Sequence, residues 1–340
     1  MISGTLLIPI LASFFITLSL IPFWIRKAKQ IGLMWPDMNK ISGERVAGSG
    51  GIIAVCGFVV GVLLYIAYVV FILRGHDSHL IETLALLNVI LILAGVGLVD
   101  DLLGWRRGGL SRRSRIIMVC FAAIPLMAIN VGKSVVALPF LGKVDLGLIY
   151  PLIIIPIGMA GATTFNFIAG FNGLEAGQGI ILLSAVAFVA FWTGNSWLTI
   201  IALCMIASLI AFLFYNFYPA HVFPGDALTY SVGGLIAAMS ILGNFERIAV
   251  FFFIPYIIEV ILKVRGRLSK YSFGKPKDDG SLDLRYEKFY GLEHISIALL
   301  KKINVKPTEK KVVFLIWAFQ IIVIIVGIAI FREGVFRNGN

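Results

Sequence analysis

The sequence predicts an all-α, polytopic membrane protein with about ten transmembrane helices and cytoplasmic active-site loops. Hydrophobic residues make up 59% of the 340 residues and charged residues only 14%, and the mean hydropathy is +0.96. A soluble domain of this length would need much more charged surface to stay in water. Water-soluble enzyme classes are therefore excluded, and the few polar segments between apolar runs become informative.

Apolar runs of about 17–25 residues, long enough to cross a bilayer as helices, follow one another along the chain. Prolines in the fifth run (Pro151, Pro156) and in the ninth (Pro255) predict breaks or kinks there. We interpret 1–340 as one membrane domain that contains a long basic connector, 264–311, called here the final connector. The predicted spans lie near residues 5–25, 51–73, 81–99, 115–131, 147–168, 177–193, 197–216, 226–242, 247–263 and 312–331.

Basic residues are concentrated in the connectors that follow the first, third and ninth predicted spans. Because positively charged connectors stay in the cytoplasm, these connectors are expected on the cytoplasmic face of a multi-pass protein. The net charge of +11 then indicates contact with lipid head groups of the bilayer, and nucleic acid is not expected as a partner. The expected location is the cell (plasma) membrane, or the endoplasmic reticulum membrane in a eukaryotic source.

Three polar segments lie at the cytoplasmic ends of the predicted spans. The first is Asp100-Asp101, the second is 166–177 (Asn-Phe-Ile-Ala-Gly-Phe-Asn-Gly-Leu-Glu-Ala-Gly), and the third ends at Asp226. A carboxylate at a membrane boundary is costly unless it is hydrated, paired or bound to metal. We therefore expect these segments to meet at one site. The alternatives are a helix-breaking turn for 166–177 and a solvated helix cap for the Asp pair.

Carboxylate and carboxamide oxygens suit Mg²⁺ rather than zinc or iron. Mg²⁺ prefers one or two protein carboxylates together with phosphate oxygens of a substrate, and Mn²⁺ is the alternative ion. The three cysteines lie inside apolar runs without paired spacing, so neither a disulfide nor a zinc site is expected. The pattern therefore favours a site for a diphosphate at the cytoplasmic membrane surface, where a second substrate enters from the bilayer.

The residues also carry a family resemblance that covers nearly the whole chain. The segment 166–177 resembles the central motif of the UDP-N-acetylglucosamine–dolichyl-phosphate N-acetylglucosamine-1-phosphate transferase branch of the polyprenyl-phosphate N-acetylhexosamine-1-phosphate transferase superfamily. Other similar stretches occur in the same order. They are Asp37-Met-Asn-Lys40, Asp100-Asp101, Tyr215-Asn-Phe-Tyr-Pro-Ala-His-Val-Phe-Pro-Gly-Asp226 and Gly280-Ser-Leu-Asp-Leu-Arg-Tyr-Glu-Lys-Phe289.

The resemblance implies a Mg²⁺-dependent transfer of N-acetylglucosamine 1-phosphate from UDP-N-acetylglucosamine to a polyprenyl or dolichyl phosphate, with release of UMP. This is the first membrane step of lipid-linked oligosaccharide assembly. It also implies a homodimer. The alternatives are the same reaction with another UDP-N-acetylhexosamine, and a secondary transporter. A transporter would place its polar residues near mid-span, whereas here they lie at one face.

Roles follow from the resemblance position by position. It implies that Asp226 and Asn166 bind the metal, and that the catalytic pair is Asp100, which deprotonates or positions the lipid phosphate, and its partner Asp101. The implied substrate-binding residues are Lys40, Arg112, Arg113, Arg115, Asn172 and Glu175, with the three arginines as rivals for one diphosphate contact.

The chain departs from the family pattern at several places, of which two bear on the substrate. Thr163 stands where the family has the first Asn of an Asn-x-x-Asn pair. The final connector has only His294, where the bacterial branches have a His-rich motif, so a peptidoglycan precursor is not the expected substrate.

The run of Gly48-Ser-Gly-Gly51 lacks the Lys-Ser/Thr of a P-loop, and we interpret it as a flexible lead into the second span.

Overall fold

The computed structural model describes residues 4–74, 79–132, 135–138 and 142–336. Eight helices among these residues are long and apolar enough to cross a membrane. The predicted class, an all-α polytopic membrane protein, is confirmed, whereas the count of ten spans stays a prediction. The eight segments are Leu7–Ile31, Gly51–Phe71, Leu80–Gly104, Tyr150–Phe167, Leu174–Trp192, Ser196–Asn216, Gly225–Leu242 and Glu309–Ile330.

The helices follow the hydropathy pattern, since an apolar segment in lipid must satisfy its backbone hydrogen bonds internally. In the first half of the chain they are α1 (Leu7–Ile31), α2 (Gly51–Phe71), α3 (Leu80–Arg107), α4 (Arg112–Ala122), α5 (Ile124–Ala128) and α6 (Ile155–Ala162). In the second half they are α7 (Leu174–Trp192), α8 (Ser196–Asn216), α9 (Gly225–Leu242), α10 (Glu246–Phe252), α11 (Ile254–Arg265), α12 (Leu292–Lys302), α13 (Glu309–Ile330) and α14 (Arg332–Phe336).

Two of the predicted spans are interrupted, each next to a proline, and a third changes helix type along its length. The fourth run divides into α4 and α5, where Pro125 begins the second helix. The ninth divides into α10 and α11 at Phe253, and Pro255 again lies in the first turn that follows. The fifth begins as a π-helix, Tyr150–Ile154, and ends as a 3₁₀-helix, Thr163–Phe167. A proline lacks the N–H that would continue the preceding helix, and this explains the breaks.

The strands are three short antiparallel hairpins in the connectors. β1 (Met34–Pro36) pairs with β2 (Arg45–Ala47), with Trp35 opposite Val46. β3 (Val135–Leu138) pairs with β4 (Gly142–Asp145). β5 (Lys275–Pro276) pairs with β6 (Leu282–Asp283) in the final connector. The first and third hairpins lie in the connectors that contribute to the site described below.

Helix α9 is the centre of the bundle. Every residue from Ala227 to Ile241 is buried, whereas α1 exposes Leu7, Phe15 and Phe23 on an outward face. An apolar outward face is what a lipid-exposed helix needs. Small residues on α9 let neighbouring helices approach closely, which is how helices associate in a bilayer. The amino terminus of α9, with Asp226, is therefore surrounded by other elements.

The run 48–51 is fixed against the segment that leads into α9. The N–H of Gly50 donates to the Phe223 carbonyl at 2.9 Å, and the N–H of Gly51 donates to the Pro224 carbonyl at 2.9 Å. The N–H of Phe223 returns a hydrogen bond to the Ala47 carbonyl at 2.7 Å. The expectation of a flexible lead was wrong, because these backbone groups pair with a distant segment that sequence reading could not identify.

Candidate active site

The end of α3 meets the start of α9 through Asp101. Its Oδ1 accepts a hydrogen bond from the backbone N–H of Asp226 at 2.8 Å, and its Oδ2 accepts one from the Ser49 hydroxyl. The positive end of a helix dipole stabilises a carboxylate that accepts from its first-turn N–H groups. Asp101 therefore caps α9 and fixes the position of Asp226.

Asp100 is buried and almost fully hydrogen-bonded. Oδ1 accepts from the Leu110 N–H at 2.8 Å and from Arg115 Nη2 at 3.0 Å. Oδ2 accepts from the Tyr230 hydroxyl at 3.2 Å and forms an ion pair with Arg115 Nε. Gly108, at φ +83, ends α3 in the left-handed conformation that favours glycine, and this turn brings the chain back to Asp100.

Asp226 lies beside Asn166, which is in the 3₁₀-helix Thr163–Phe167 and begins the 166–177 segment. Asn166 Nδ2 donates to Asp226 Oδ1 at 2.8 Å. Since Asp226 is also bonded to Asp101, the three polar segments meet at one end of the bundle. The predicted convergence is thus confirmed, while the metal-binding and catalytic roles of these residues stay predictions.

Close contact between α3 and α9 depends on Gly97. A Cβ atom at this position would lie 2.4 Å from the carbonyl carbon and oxygen of Asp226 and 2.5 Å from the nitrogen of Ala227. Only a residue without a side chain lets the two helix backbones approach this closely. The carboxylates of α3 therefore reach the first turn of α9 because Gly97 is one turn below them.

A cavity of about 240 Å³ opens beside these residues. Its lining combines polar side chains with aromatic ones. This combination suits a ligand with one charged part and one flat part. Glu175 faces it and accepts a hydrogen bond from the Gly170 N–H at 2.9 Å. The residues that line it include Asp101, Asn166, Glu175, Asp226, Thr229, Trp35, Met38, Gly170, Phe171, Phe223 and Phe273.

Asn172 and Lys40 do not line this cavity, and Lys40 lines a separate cavity of about 430 Å³. The N–H of Asn172 donates to Glu309 Oε1 at 2.8 Å, and its side-chain amide donates to Asp37 Oδ2 at 3.2 Å. Lys40 forms ion pairs with Asp37 and Glu44, each at 3.2 Å. Burial alone would lower the pKa of Lys40, but the two carboxylates outweigh burial and raise it. Neither residue lines the cavity, so the structure does not bring their expected substrate contacts to the carboxylate cluster.

The structure separates the three candidate arginines. Arg115 binds Asp100, whereas Arg112 Nη2 donates to the Leu268 carbonyl at 3.0 Å. Arg113 is exposed on the first turn of α4. Arg115 is therefore the one that the fold places beside the carboxylates, although a contact with substrate is untested for all three.

Two contributing residues escaped the sequence analysis. Tyr230 lies four residues after Asp226, so it occupies the same face of α9 and reaches Asp100. The four-residue spacing between Asp226 and Tyr230 could have indicated from the sequence that Tyr230 contributes to the site. Ser49 reaches Asp101 from the first connector, at φ +52, and no local pattern indicated this contact.

The fold and the site define a polytopic membrane protein whose polar residues gather at one end of a helical bundle beside an aromatic-walled cavity. Residues 83–244 match the family described as glycosyl transferase family 4, and this region contains Asp100, Asp101, Asn166 and Asp226. The chain belongs to this family.

Relatives with curated names come from all three domains of life. A protein of Saccharolobus solfataricus, provisionally named UDP-N-acetylglucosamine–dolichyl-phosphate N-acetylglucosaminephosphotransferase, is 35% identical over 326 residues, which are 95% of this chain and 96% of the relative. The Dictyostelium discoideum protein of the same name is 27% identical over 73% of this chain and 69% of its own length. The phospho-N-acetylmuramoyl-pentapeptide-transferase of Lactiplantibacillus plantarum is 29% identical over 75% of this chain and 82% of its own. The resemblance inferred from the motifs is confirmed.

Proposed function

We propose that this protein transfers N-acetylglucosamine 1-phosphate from UDP-N-acetylglucosamine to a polyprenyl or dolichyl phosphate and releases UMP. The names of the relatives support this donor and this acceptor class. The reaction would be the first membrane step in the assembly of a lipid-linked oligosaccharide. The active site would face the cytoplasm, because the basic connectors are at the end of the bundle that holds the carboxylates.

The observation that carries the proposal is the meeting of Asp100, Asp101, Asn166 and Asp226 beside one fixed guanidinium, Arg115. Of the three carboxyl groups, only that of Asp100 forms an ion pair within the described part of the chain, with Arg115, which leaves the negative charge of the other two uncompensated. A divalent cation and the arginine together are the partners that a diphosphate needs. Burying three carboxyl groups at the edge of a membrane is energetically costly, and binding a cation and a phosphate group would offset that cost.

Asn166 and Asp226 would hold Mg²⁺, with Mn²⁺ as the alternative ion. Their side chains are 2.8 Å apart on one wall of the cavity. An aspartate and an asparagine offer oxygen ligands of the kind that suit Mg²⁺, which takes one or two protein oxygens and completes its shell with water and substrate phosphate. When bound, the ion supplies positive charge to the diphosphate and to the leaving UMP.

The chain's own residues would position the phosphates. Arg115, held by Asp100 beside the carboxylate cluster, would neutralise phosphate charge. Because Asp100 already accepts from Leu110, Arg115 and Tyr230, its geometry favours orienting Arg115 over taking a proton. An oxygen of the lipid phosphate would attack the β-phosphorus, the bond from that phosphorus to the bridging oxygen would break, and UMP would leave with that oxygen.

A second cavity supports a lipid acceptor. It has a volume of about 300 Å³, and its lining runs from Tyr150 through Ile154, Ile236 and Phe253 to Thr164, two residues before Asn166. The lining is largely apolar and comes from membrane-embedded elements. An isoprenoid chain in this groove would place its phosphate close to the carboxylate cluster.

Release of UMP tests the proposal. Purified protein in lipid nanodiscs would receive a polyprenyl or dolichyl phosphate and a panel of UDP-sugars, with and without Mg²⁺. We expect UMP release that requires both substrates and the ion, and we expect Asp226→Asn to abolish it. The matched control is Asp278→Asn, the same change at an exposed position of the final connector, which should leave turnover unchanged.

The outcomes separate the alternatives. Turnover with a different UDP-N-acetylhexosamine would change the assigned donor and leave the reaction class intact. Uptake of UDP-sugar by proteoliposomes without any UMP release would refute the transferase. Near-normal turnover of Asp226→Asn would remove Asp226 from the metal site.

A further inference from the structure

The side chain of Asn39 joins two walls of the 240 Å³ cavity beside the carboxylates, called here the donor cavity. Its Nδ2 donates to the Gly170 carbonyl at 2.9 Å, and its Oδ1 accepts from the Gly274 N–H at 3.1 Å. Asn39 is only 6% exposed, and its own N–H donates to Asp37 Oδ1 at 3.2 Å, which holds the turn in place. One carboxamide thus connects the first connector, the 166–177 segment and the final connector.

The two joined walls touch each other at the cavity. Gly170 and Phe273 both line it, and a Cβ atom at Gly170 would lie 2.5 Å from Phe273 Cε1. Gly170 also has φ +98, a conformation that favours glycine. The Phe273 ring therefore lies directly over Gly170, and Asn39 bonds to Gly170 and to the residue after Phe273.

Among the described residues, the other hydrogen bonds of Phe273 and Gly274 stay within the carboxyl-terminal region. Arg285 Nη2 donates to the Gly274 carbonyl at 3.1 Å, and the His294 ring nitrogen Nε2 lies 3.4 Å from the Phe273 carbonyl. Arg285 and His294 shape the connector itself. Glu309, at the far end of the connector, also accepts from the Asn172 N–H. At Phe273 and Gly274, however, it is Asn39 that makes the hydrogen bonds to the opposite wall, so the local spacing between Phe273 and Gly170 depends on this amide.

We propose that Asn39 is a positioning residue that holds Phe273 against Gly170 and so keeps the donor cavity closed on one side. This rests on the proposed function, in which the cavity holds the UDP-sugar. Asn39 does not line the cavity itself, and it would act through the two walls. A residue that must donate on one side and accept on the other has no close substitute, because aspartate lacks the donor and leucine lacks both groups.

Kinetics provide the first test. Asn39→Leu keeps the side-chain size and removes both hydrogen bonds, so we expect the KM for UDP-sugar to rise about tenfold. The KM for lipid phosphate should change less than about twofold, since the acceptor groove is elsewhere. Ser42→Ala, an exposed change three residues away, is the matched control. Equal rises in both KM values would indicate a general structural defect and overturn the proposal.

Hydrogen–deuterium exchange provides a test that needs no turnover. The Gly274 N–H should exchange faster in Asn39→Leu and stay protected in Asn39→Asp, because the aspartate can still accept from it. Unchanged protection in Asn39→Leu would refute the link between the walls. If no UDP-sugar supports turnover, the proposed function fails while the exchange result still decides whether Asn39 joins the walls.

A double variant connects the two tests. If Asn39 acts through Phe273, Phe273→Leu alone should raise the KM for UDP-sugar, and adding Asn39→Leu should raise it little further. Fully multiplicative effects would mean that Asn39 acts by another route, and the proposal would be wrong.

Discussion

Replacing Gly97 with alanine would test whether close helix packing sets the geometry of the site. The new Cβ atom would lie 2.4 Å from the Asp226 carbonyl, whereas ordinary contacts begin at 3.4 Å. The helices α3 and α9 must therefore separate by about 1 Å, and overpacking of this kind costs about 1–3 kcal/mol. A 1 Å misplacement of a reacting group costs about a hundredfold in rate, so we expect kcat to fall by about that factor.

Gly95 offers a matched control on the same helix. A Cβ atom at Gly95 would meet nothing within 4 Å, and this residue is exposed on the outer face of α3. Both substitutions improve helix propensity by about 1 kcal/mol, so this term cancels in the comparison.

The assay is UMP release at saturating substrate, together with thermal unfolding of the purified variants. Gly97→Ala should lose both rate and stability, and Gly95→Ala should match the parent protein or exceed it in stability. If Gly97→Ala turned over as fast as Gly95→Ala, the contact between α3 and α9 would not control the position of Asp226, and this reasoning would be refuted.

Three further predictions concern single side chains. Arg115→Lys keeps the charge but loses the fork that binds both oxygens of Asp100, so turnover should fall about 10–100-fold; an unchanged rate would exclude a geometric role. Ser49→Ala removes one donor to Asp101, and UMP release should slow about tenfold, whereas parental turnover would show that the Asp226 N–H suffices. Burial lowers the pKa of His294, so its contribution to stability is present above the ordinary pKa of about 6.5 and is lost as the pH falls below it. The Tm should drop more for the parent than for His294→Gln between about pH 7.5 and about pH 5.5, and parallel curves would contradict this.

Much of the architecture could be predicted because hydropathy acts locally. A run of apolar residues must form a helix in lipid whatever surrounds it, so the eight long helices match predicted spans. The breaks near Pro125, Pro151 and Pro255 also follow from a local cause, the missing N–H of proline. Whether a run that is divided into two short helices, as in α4–α5 and α10–α11, crosses the bilayer depends on its packing against distant elements. The number of crossings therefore could not be predicted from the hydropathy pattern.

The candidate site was predictable only in outline. Asp100, Asp101, Asn166 and Asp226 were indicated by a simple energetic argument, since polar groups at a membrane edge need partners. Which partners they have depends on how the helices rotate and how closely they approach.

The sequence by itself determined the membrane class and the identity of the polar segments that meet, while the sidedness implied by its basic connectors stays a prediction. Only the tertiary structure decided that Arg115 rather than Arg112 or Arg113 binds Asp100. It also decided that the Asn172 side chain donates to Asp37 and its backbone N–H to Glu309, and that Asn172 does not line the cavity. The physical reason is that composition and spacing act over about one helix turn. These contacts join residues 15 and 137 positions apart, and they depend on how the helices and connectors pack.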